Sequence, residues 1–313
     1  MDPAAFLADL EAKPAALLAL LGDLPRCPEL GEGPLLLAGM GSSFFAADVA
    51  ARRFRRHGIR AIAELASVEA SLPADAGVTL VAVTASGRSA ETLPLLQAHH
   101  GTSRTIALTN DCSADLPADD VVLMHAGTEA AGVACRTYLH TLVALLALEQ
   151  QLSGVDLRLV ERVKRSAAAI AFLLDRRHGW LPPVVEAVEG TEGVWLLAPA
   201  ERLGSALQGA LMVREGPRRL ADGCETGDWN HVDVYLTKTL DYRAVLFTGS
   251  RFDEDALNWM RERRSHVVTV GAEPHDVSAT VRYPGDDDPI IALLTEVIVA
   301  ELIAAHWWLG VNW

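Results

Sequence analysis

The sequence predicts an α/β fold of two tandem halves, each a doubly wound, mainly parallel sheet with flanking helices. Short apolar runs alternate with helical patterns from residue 34 to residue 150, and this alternation returns from residue 194 to residue 308. Strands that alternate with helices are typical of parallel sheets. The chain has 313 residues and is 50% hydrophobic. This is enough for two domains of ordinary size or one large domain.

The first half opens with one or two helical segments over residues 3–22, the second of which starts at Pro14. Strands are predicted where short apolar runs end in turn residues, at 34–40, 59–64, 78–83, 105–109 and 121–125. Helices are predicted where apolar side chains recur at helical spacing, at 42–57, 92–99 and 137–150.

A helix over residues 157–175 is predicted to join the two halves. The second half then repeats the design, which suggests duplication. Its predicted strands are 194–197, 244–248, 266–270 and 278–283, and its predicted helices are 204–215, 253–264 and 289–308. The predicted domains are an N-terminal helical segment (1–30), a first subdomain (31–152), a linking helix (153–185) and a second subdomain (186–313).

Composition narrows the class of partner. The formal net charge is −14, and the charges are scattered. An acidic chain of this kind does not favour nucleic acid or an anionic membrane surface as a binding partner. The four cysteines lie far apart, so neither a metal site nor a disulfide framework is predicted, and no cofactor is indicated. The N-terminus lacks a signal-peptide pattern, and Glu296 and Glu301 interrupt the longest apolar run. A cytoplasmic protein without a membrane span is predicted.

The turn after the predicted strand 78–83 is rich in hydroxyl side chains. Its hydroxyl residues and glycine are Thr84, Ser86, Gly87 and Ser89. A second such turn, Ser42-Ser43, follows the strand 34–40. Ligands of open parallel sheets bind beyond the carboxyl ends of the strands, where both turns are expected. Backbone amides at a helix start favour an anion, so the pattern predicts a phosphate site. Simple helix capping by one hydroxyl is the alternative.

Six segments carry motifs that occur together, in this order, in one family. They are Gly41-Ser42-Ser43, Thr84 to Thr92, Ala126 to Glu129, Gly132-Val133-Ala134, Gly209 to Glu215 and Gly227 to His231. The chain resembles the sugar isomerase (SIS) domain family, which includes the isomerase half of glucosamine-6-phosphate synthase and stand-alone phosphosugar isomerases and deaminases. The resemblance covers both halves and implies two tandem SIS subdomains, a sugar phosphate ligand and a homodimer. Trp307, Trp308 and Trp313 offer either a dimer surface or part of the monomer core.

The resemblance also implies roles for particular residues. Glu215 would move a proton between neighbouring sugar carbons, and His231, sixteen residues later, would open the sugar ring. A partly screened carboxylate and a histidine that titrates near neutrality suit these tasks. Taken alone, the two would be interpreted as an exposed helix end and a surface loop. The sugar phosphate would be bound by Ser42, Ser43, Thr84, Ser86, Gly87, Arg88, Ser89, Thr92, Val133 and Ala134.

Departures from the family pattern leave two functions open. Ala85 and Arg88 replace a Gln and a Glu of the phosphate loop, and Val232-Asp233 replaces the Gly-Pro after the histidine. No lysine follows Lys238, whereas the synthase carries one in a C-terminal tail. The first function is a phosphosugar isomerase or deaminase without a glutaminase domain, and the alternative is a non-catalytic regulatory protein that binds a sugar phosphate. A nicotinamide-dependent dehydrogenase is disfavoured, because no G-x-G-x-x-G follows a strand.

Overall fold

The structure is a computed structural model, and it describes residues 1–26, 28–31, 33–69, 71–271 and 276–310. Trp313 lies outside the described residues. The chain forms two compact units. The first-sheet unit consists of Ala16–Thr128 and Ala134–Glu161, and the second-sheet unit consists of Met1–Ala15, Glu129–Val133 and the chain from Arg162 onward. The domain boundaries predicted at residues 30, 152 and 185 stay predictions.

The first sheet has five parallel strands, β1 (Leu35–Gly39), β2 (Ala61–Leu65), β3 (Thr79–Val83), β4 (Arg104–Thr109) and β5 (Asp120–Leu123). Their order across the sheet is β2-β1-β3-β4-β5. All residues of β1 and β3 are buried, as expected of central strands that are covered by helices on both faces. The helices between residues 3 and 153 are α1 (Pro3–Glu11), α2 (Lys13–Leu20), α3 (Ser42–Arg56), α4 (Thr92–His99) and α5 (Arg136–Ser153).

The second sheet has five parallel strands, β6 (Val194–Ala198), β7 (Ala221–Glu225), β8 (Arg243–Phe247), β9 (His266–Val270) and β10 (Ala279–Val281). Their order is β10-β9-β8-β6-β7. In each sheet the first strand therefore lies between the second and the third. The remaining helices are α6 (Leu159–Asp175), α7 (Arg177–Val188), α8 (Leu203–Glu215), α9 (Thr226–Trp229), α10 (Asp253–Glu262), α11 (Pro289–Thr295) and α12 (Val297–Leu309), with 3-10 turns at Ala200–Arg202 and Asp233–Lys238.

The predicted α/β fold with two parallel sheets is confirmed, and the differences have local causes. Strand β7 was not predicted because its sequence, ADGCE, has no apolar run, as befits an edge strand. Helix α7 was not predicted because Pro182 and Pro183 lie inside it, and proline usually ends a helix. The predicted helix 289–308 divides into α11 and α12 at Glu296.

The stretch Pro289–Leu309 is apolar and long enough to cross a membrane, by length and composition alone. However, 89% of its most apolar window is buried inside the protein. Two fully buried glutamates lie along it, and each forms an ion pair: Glu296 with Arg202, and Glu301 with Lys13. Burial on this scale is typical of a core helix, and this stretch forms much of the core of the second-sheet unit.

Candidate functional site

The turn after β1 begins helix α3 directly. Gly41 has a φ of 52°, and Ser42 and Ser43 form the first turn of α3, where both side chains are half-buried. A Cβ at Gly39 would lie 2.7 Å from the Cβ of Ser43. Glycine is therefore required for the helix start to pack this closely on the end of the strand. The two serines lie at the carboxyl end of β1, as predicted.

The turn after β3 holds the hydroxyl residues in different environments. Ser89 lies just before α4, and its Oγ accepts a hydrogen bond at 3.2 Å from the amide of Thr92, the first residue of that helix. The Ser86 side chain is exposed, and its Oγ accepts a hydrogen bond from the amide of Arg88 at 3.3 Å. Thr84 is buried, and its Oγ1 has no hydrogen-bond partner in the described part of the chain. The capping interpretation thus accounts for Ser89 and leaves Ser86 available to a ligand.

The two turns leave the first sheet side by side. Strands β1 and β3 are neighbours in parallel register, with Ala38 opposite Ala82, so their carboxyl ends are level. Among the described residues, no hydrogen-bond acceptor is reached by the amides of Ser86, Ser89 and Ala90. Free amides beside a helix start, where the strand order reverses, are the usual setting for a bound phosphate.

Arg88 adds a positive charge beside this turn. Its side chain is exposed, and its guanidinium pairs with the Asp111 carboxylate at 3.0 Å. Hydrogen bonds from Ser113, and to a smaller extent Arg88 itself, lower the pKa of Asp111. The pair is therefore ionised at neutral pH, and Asp111 offsets part of the charge that Arg88 brings to the turn.

The segment that contains Val133 and Ala134 can offer a ligand little besides its backbone. The Val133 side chain is buried and Ala134 is half-buried. Upstream in the same segment, the Asn110 side chain makes two hydrogen bonds to the backbone of Ala126 and Gly127. Asn110 was not predicted as a site residue, although its place after β4, at the carboxyl edge of the sheet, is a signal that could have found it.

Glu215 is the last residue of α8 in the second-sheet unit. Its side chain is half-buried, and burial raises its pKa, while Arg214 opposes this shift. Its carboxylate accepts no hydrogen bond from the residues that the structure describes. A carboxylate with a raised pKa and free oxygens is suited to proton transfer near neutral pH.

His231 is exposed and lies just after α9, where it lines a cavity of about 650 Å³. The far wall of this cavity is α10, which contributes Trp259. Glu215 is not among the described residues that line this cavity. The other lining residues are Glu225, Gly227, Asp228, Asn230, Phe252, Asp255 and Asn258. None of them was predicted as a site residue, although Gly227, Asp228 and Asn230 belong to the same motif as His231.

No group of three His, Cys, Asp or Glu side chains is arranged to hold a metal ion within the described ranges.

No family model matches the chain. The glutamine–fructose-6-phosphate aminotransferase [isomerizing] of Pyrococcus horikoshii is 24% identical over 312 residues, which cover 92% of this chain and 52% of that protein. The chain thus spans about half the length, or less, of the curated relatives it matches.

The solved C-terminal domain of glucosamine-fructose-6-phosphate aminotransferase from Francisella tularensis has a TM-score of 0.85 at 17% identity, over 97% of this chain and 95% of that chain. The chain has the SIS fold. A solved glucosamine-6-phosphate deaminase from Thermotoga maritima is also similar, with a TM-score of 0.76 at 17% identity, over 98% of this chain and 94% of that chain. The resemblance drawn from the motifs is confirmed at this level.

The SIS motif around Glu215 has a packing explanation. A Cβ at Gly209 would lie 2.6 Å from Leu196 of β6 and 2.7 Å from Ala300 of α12. A Cβ at Gly216 would lie 2.7 Å from the ring of Trp308. Glycines on either side of Glu215 thus allow α8 to pack closely on the sheet and on α12, which positions the backbone of the helix end that carries Glu215.

Gly87→Ala should destabilise the protein by about 1–3 kcal/mol, because overpacking adds to backbone strain. The added Cβ would lie 2.4 Å from the Cβ of Ala114, and the φ of Gly87 is 66°. Gly101→Ala is the matched control, because Gly101 has a φ of 77° but a Cβ there meets nothing within 4 Å. Urea unfolding measures both changes. Equal losses of stability in Gly87→Ala and Gly101→Ala would contradict the expectation that contact with Ala114 adds to the cost of a side chain at position 87.

Proposed function

We propose that the protein is a phosphosugar isomerase or deaminase that transfers a proton through a carboxylate. The observation that carries the proposal is Glu215, which is half-buried, has a raised pKa and ends a helix that Gly209 allows to pack closely on the sheet. Two relatives support the same class of reaction, because one is named an isomerizing aminotransferase and the other a deaminase of a sugar phosphate.

In the proposed reaction, the Glu215 carboxylate accepts a proton from the carbon next to the carbonyl of an open-chain sugar phosphate. The same group then returns the proton to the carbon that had carried the carbonyl, while a hydroxyl proton of the sugar passes to the former carbonyl oxygen, so that aldose and ketose interconvert without net oxidation. Such a base is most effective when its pKa lies near the working pH, and burial moves the pKa of Glu215 in that direction. We assign the proton transfer of ring opening to His231, which lines a solvent-accessible cavity with side chains able to bind hydroxyl groups.

We assign phosphate binding to the turn after β3, together with Ser42 and Ser43. Support comes from the free amides of Ser86, Ser89 and Ala90 and from the start of α4. A phosphate dianion there would also attract the Arg88 guanidinium, which can donate two parallel hydrogen bonds. Thr84, Gly87 and Thr92 would shape the turn rather than supply most of the contacts.

Sugar phosphates should stabilise the protein, and the matching free sugars should not. At 100-fold over its dissociation constant, a ligand raises the free energy of unfolding by about 2.7 kcal/mol. A thermal-shift panel that pairs glucosamine 6-phosphate with glucosamine, and fructose 6-phosphate with fructose, measures the difference.

Ser86→Ala should weaken binding by about 1.5–3 kcal/mol, the usual effect of losing a hydrogen bond to a charged group.

Ser67→Ala is the control, because Ser67 is an exposed serine of the same unit outside the turn. It should leave the shifts unchanged. Equal responses to each phosphate and its free sugar, across the panel, would refute the assignment of phosphate to this turn.

The second candidate is a regulatory protein that binds a sugar phosphate without turnover. It is favoured by one observation: Glu215 does not line the cavity that His231 lines. Arg88 and Val232-Asp233, which depart from the family motifs, are also compatible with lost turnover. Homodimer formation and a cytoplasmic location remain proposals from the sequence, and analytical ultracentrifugation tests the first of them.

A further inference from the structure

The connection after β5 has an unfavourable backbone. His125 has a φ of 53°, in the left-handed region that costs a non-glycine residue energy, and Gly127 follows with a φ of 70°. This connection leads into the segment in which the SIS motifs predict ligand contacts. Strained backbone persists only where neighbouring groups hold it. The groups that form hydrogen bonds to this connection are therefore candidates for residues that set its conformation.

The side chain of Asn110 makes two hydrogen bonds to the backbone of this connection. The Nδ2 of Asn110 donates a hydrogen bond to the carbonyl of Gly127 at 2.8 Å, and its Oδ1 accepts one from the amide of Ala126 at 2.8 Å. An amide can only donate and a carbonyl can only accept, so the two bonds fix the orientation of the carboxamide. Asparagine alone fits, because aspartate lacks the donor and glutamine is one carbon longer.

Asn110 also contacts the phosphate turn. Its backbone amide donates a hydrogen bond to the carbonyl of Ala85 at 3.0 Å, and the hydroxyl of Thr109 donates to the same carbonyl at 3.3 Å. All of these residues belong to the first-sheet unit. Asn110, at the carboxyl end of β4, thus forms hydrogen bonds to two segments. Its backbone bonds to the phosphate turn, and its side chain bonds to Ala126-Gly127.

We propose that Asn110 is a positioning residue that fixes the Ala126–Gly127 backbone relative to the phosphate turn, so that this backbone meets the sugar end of a ligand whose phosphate occupies the turn. The inference rests on the proposed function for the identity of the ligand. The hydrogen bonds from Asn110 to the Ala126–Gly127 backbone do not depend on any ligand. The positioning role of Asn110 and the identity of the ligand can therefore be tested separately.

The first arm is amide hydrogen exchange in the protein without ligand. Asn110→Ala should speed exchange of the Ala126 amide by about tenfold, because the amide loses its acceptor. Asn110→Asp keeps an acceptor but puts a carboxylate against the Gly127 carbonyl, so its exchange rate should lie between wild type and Asn110→Ala. Gln97→Ala, which removes an exposed carboxamide from α4, should change nothing. Unchanged exchange in Asn110→Ala would overturn the proposal.

The second arm compares two ligands by calorimetry. Asn110→Ala should weaken glucosamine 6-phosphate about tenfold and inorganic phosphate less than about threefold, because only the sugar reaches the Ala126–Gly127 backbone. Equal weakening of both ligands would show a general structural effect and overturn the positioning role. If wild type binds neither ligand, the proposed function fails, and the exchange arm alone decides whether Asn110 holds the segment.

Discussion

Glu215→Gln should lower the turnover of a sugar phosphate by about 10²–10⁴-fold and leave its binding almost unchanged. The substitution keeps the shape of the side chain and removes its basicity. No described residue donates a hydrogen bond to the Glu215 carboxylate, so the glutamine disturbs no existing network. Steady-state rates with the sugar phosphate that the thermal-shift panel selects, together with a calorimetric dissociation constant, measure both effects.

The control is Glu186→Gln, which replaces an exposed glutamate of α7 in the same unit and should leave the rate unchanged. The pH profile adds a second readout. The carboxylate must be ionised to act as the base, so the wild-type rate should fall as the pH drops through the pKa of Glu215. Burial raises that pKa above the usual value of 4.5, so the fall should lie above pH 4.5. A rate independent of pH across this range would argue against Glu215 as the base.

Lys13→Met should destabilise the protein by about 3–5 kcal/mol, the usual effect of removing one partner of a buried ion pair. The Lys13 side chain and its partner Glu301 are both fully buried, and the ammonium group bonds directly to the carboxylate. Methionine has a similar shape but leaves the carboxylate without its cation. Urea unfolding measures the loss, and Lys164→Met, at an exposed lysine, is the control.

The loss should depend on pH. Burial raises the pKa of Glu301, and Lys13 opposes this shift, so the pKa rises further in Lys13→Met. A carboxyl group whose pKa is higher in the folded state stabilises that state at low pH, and this stability is lost as the pH rises through the folded pKa. The variant should therefore be less stable at about pH 8 than at about pH 5. Lys13→Met/Glu301→Gln, which removes both charges, should recover much of the loss. A double variant as unstable as Lys13→Met would contradict the charge argument.

The alternation of apolar strands and amphipathic helices made the fold predictable. Central strands such as β1 and β3 are almost entirely apolar, because helices cover both faces of the sheet, and that run is visible in the sequence. The edge strand β7 is held by its neighbour β6 rather than by burial of an apolar run, so nothing in ADGCE marks it. Tertiary packing likewise overrides the two prolines of α7.

The candidate site was only partly predictable for a related reason. The hydroxyl turn at Thr84–Thr92 is local, so its chemistry can be read from consecutive residues. Asn110 acts on residues sixteen and seventeen positions later, and only the strand order brings them together. The cavity beside His231 is similar, because α9 and α10 meet there after a long stretch of intervening chain. Packing of α8 explains why Gly209 precedes Glu215, but the motif alone does not reveal it.

Proton transfer by Glu215 is tested most directly by solvent-deuterium incorporation, followed by NMR, in a panel of hexose and hexosamine phosphates. We expect deuterium at the carbon next to the carbonyl of one sugar phosphate with wild type, and a loss of that exchange in Glu215→Gln. A sugar phosphate that binds tightly yet neither gains deuterium nor is converted, with wild type as with Glu215→Gln, would contradict proton transfer and leave the regulatory protein as the function.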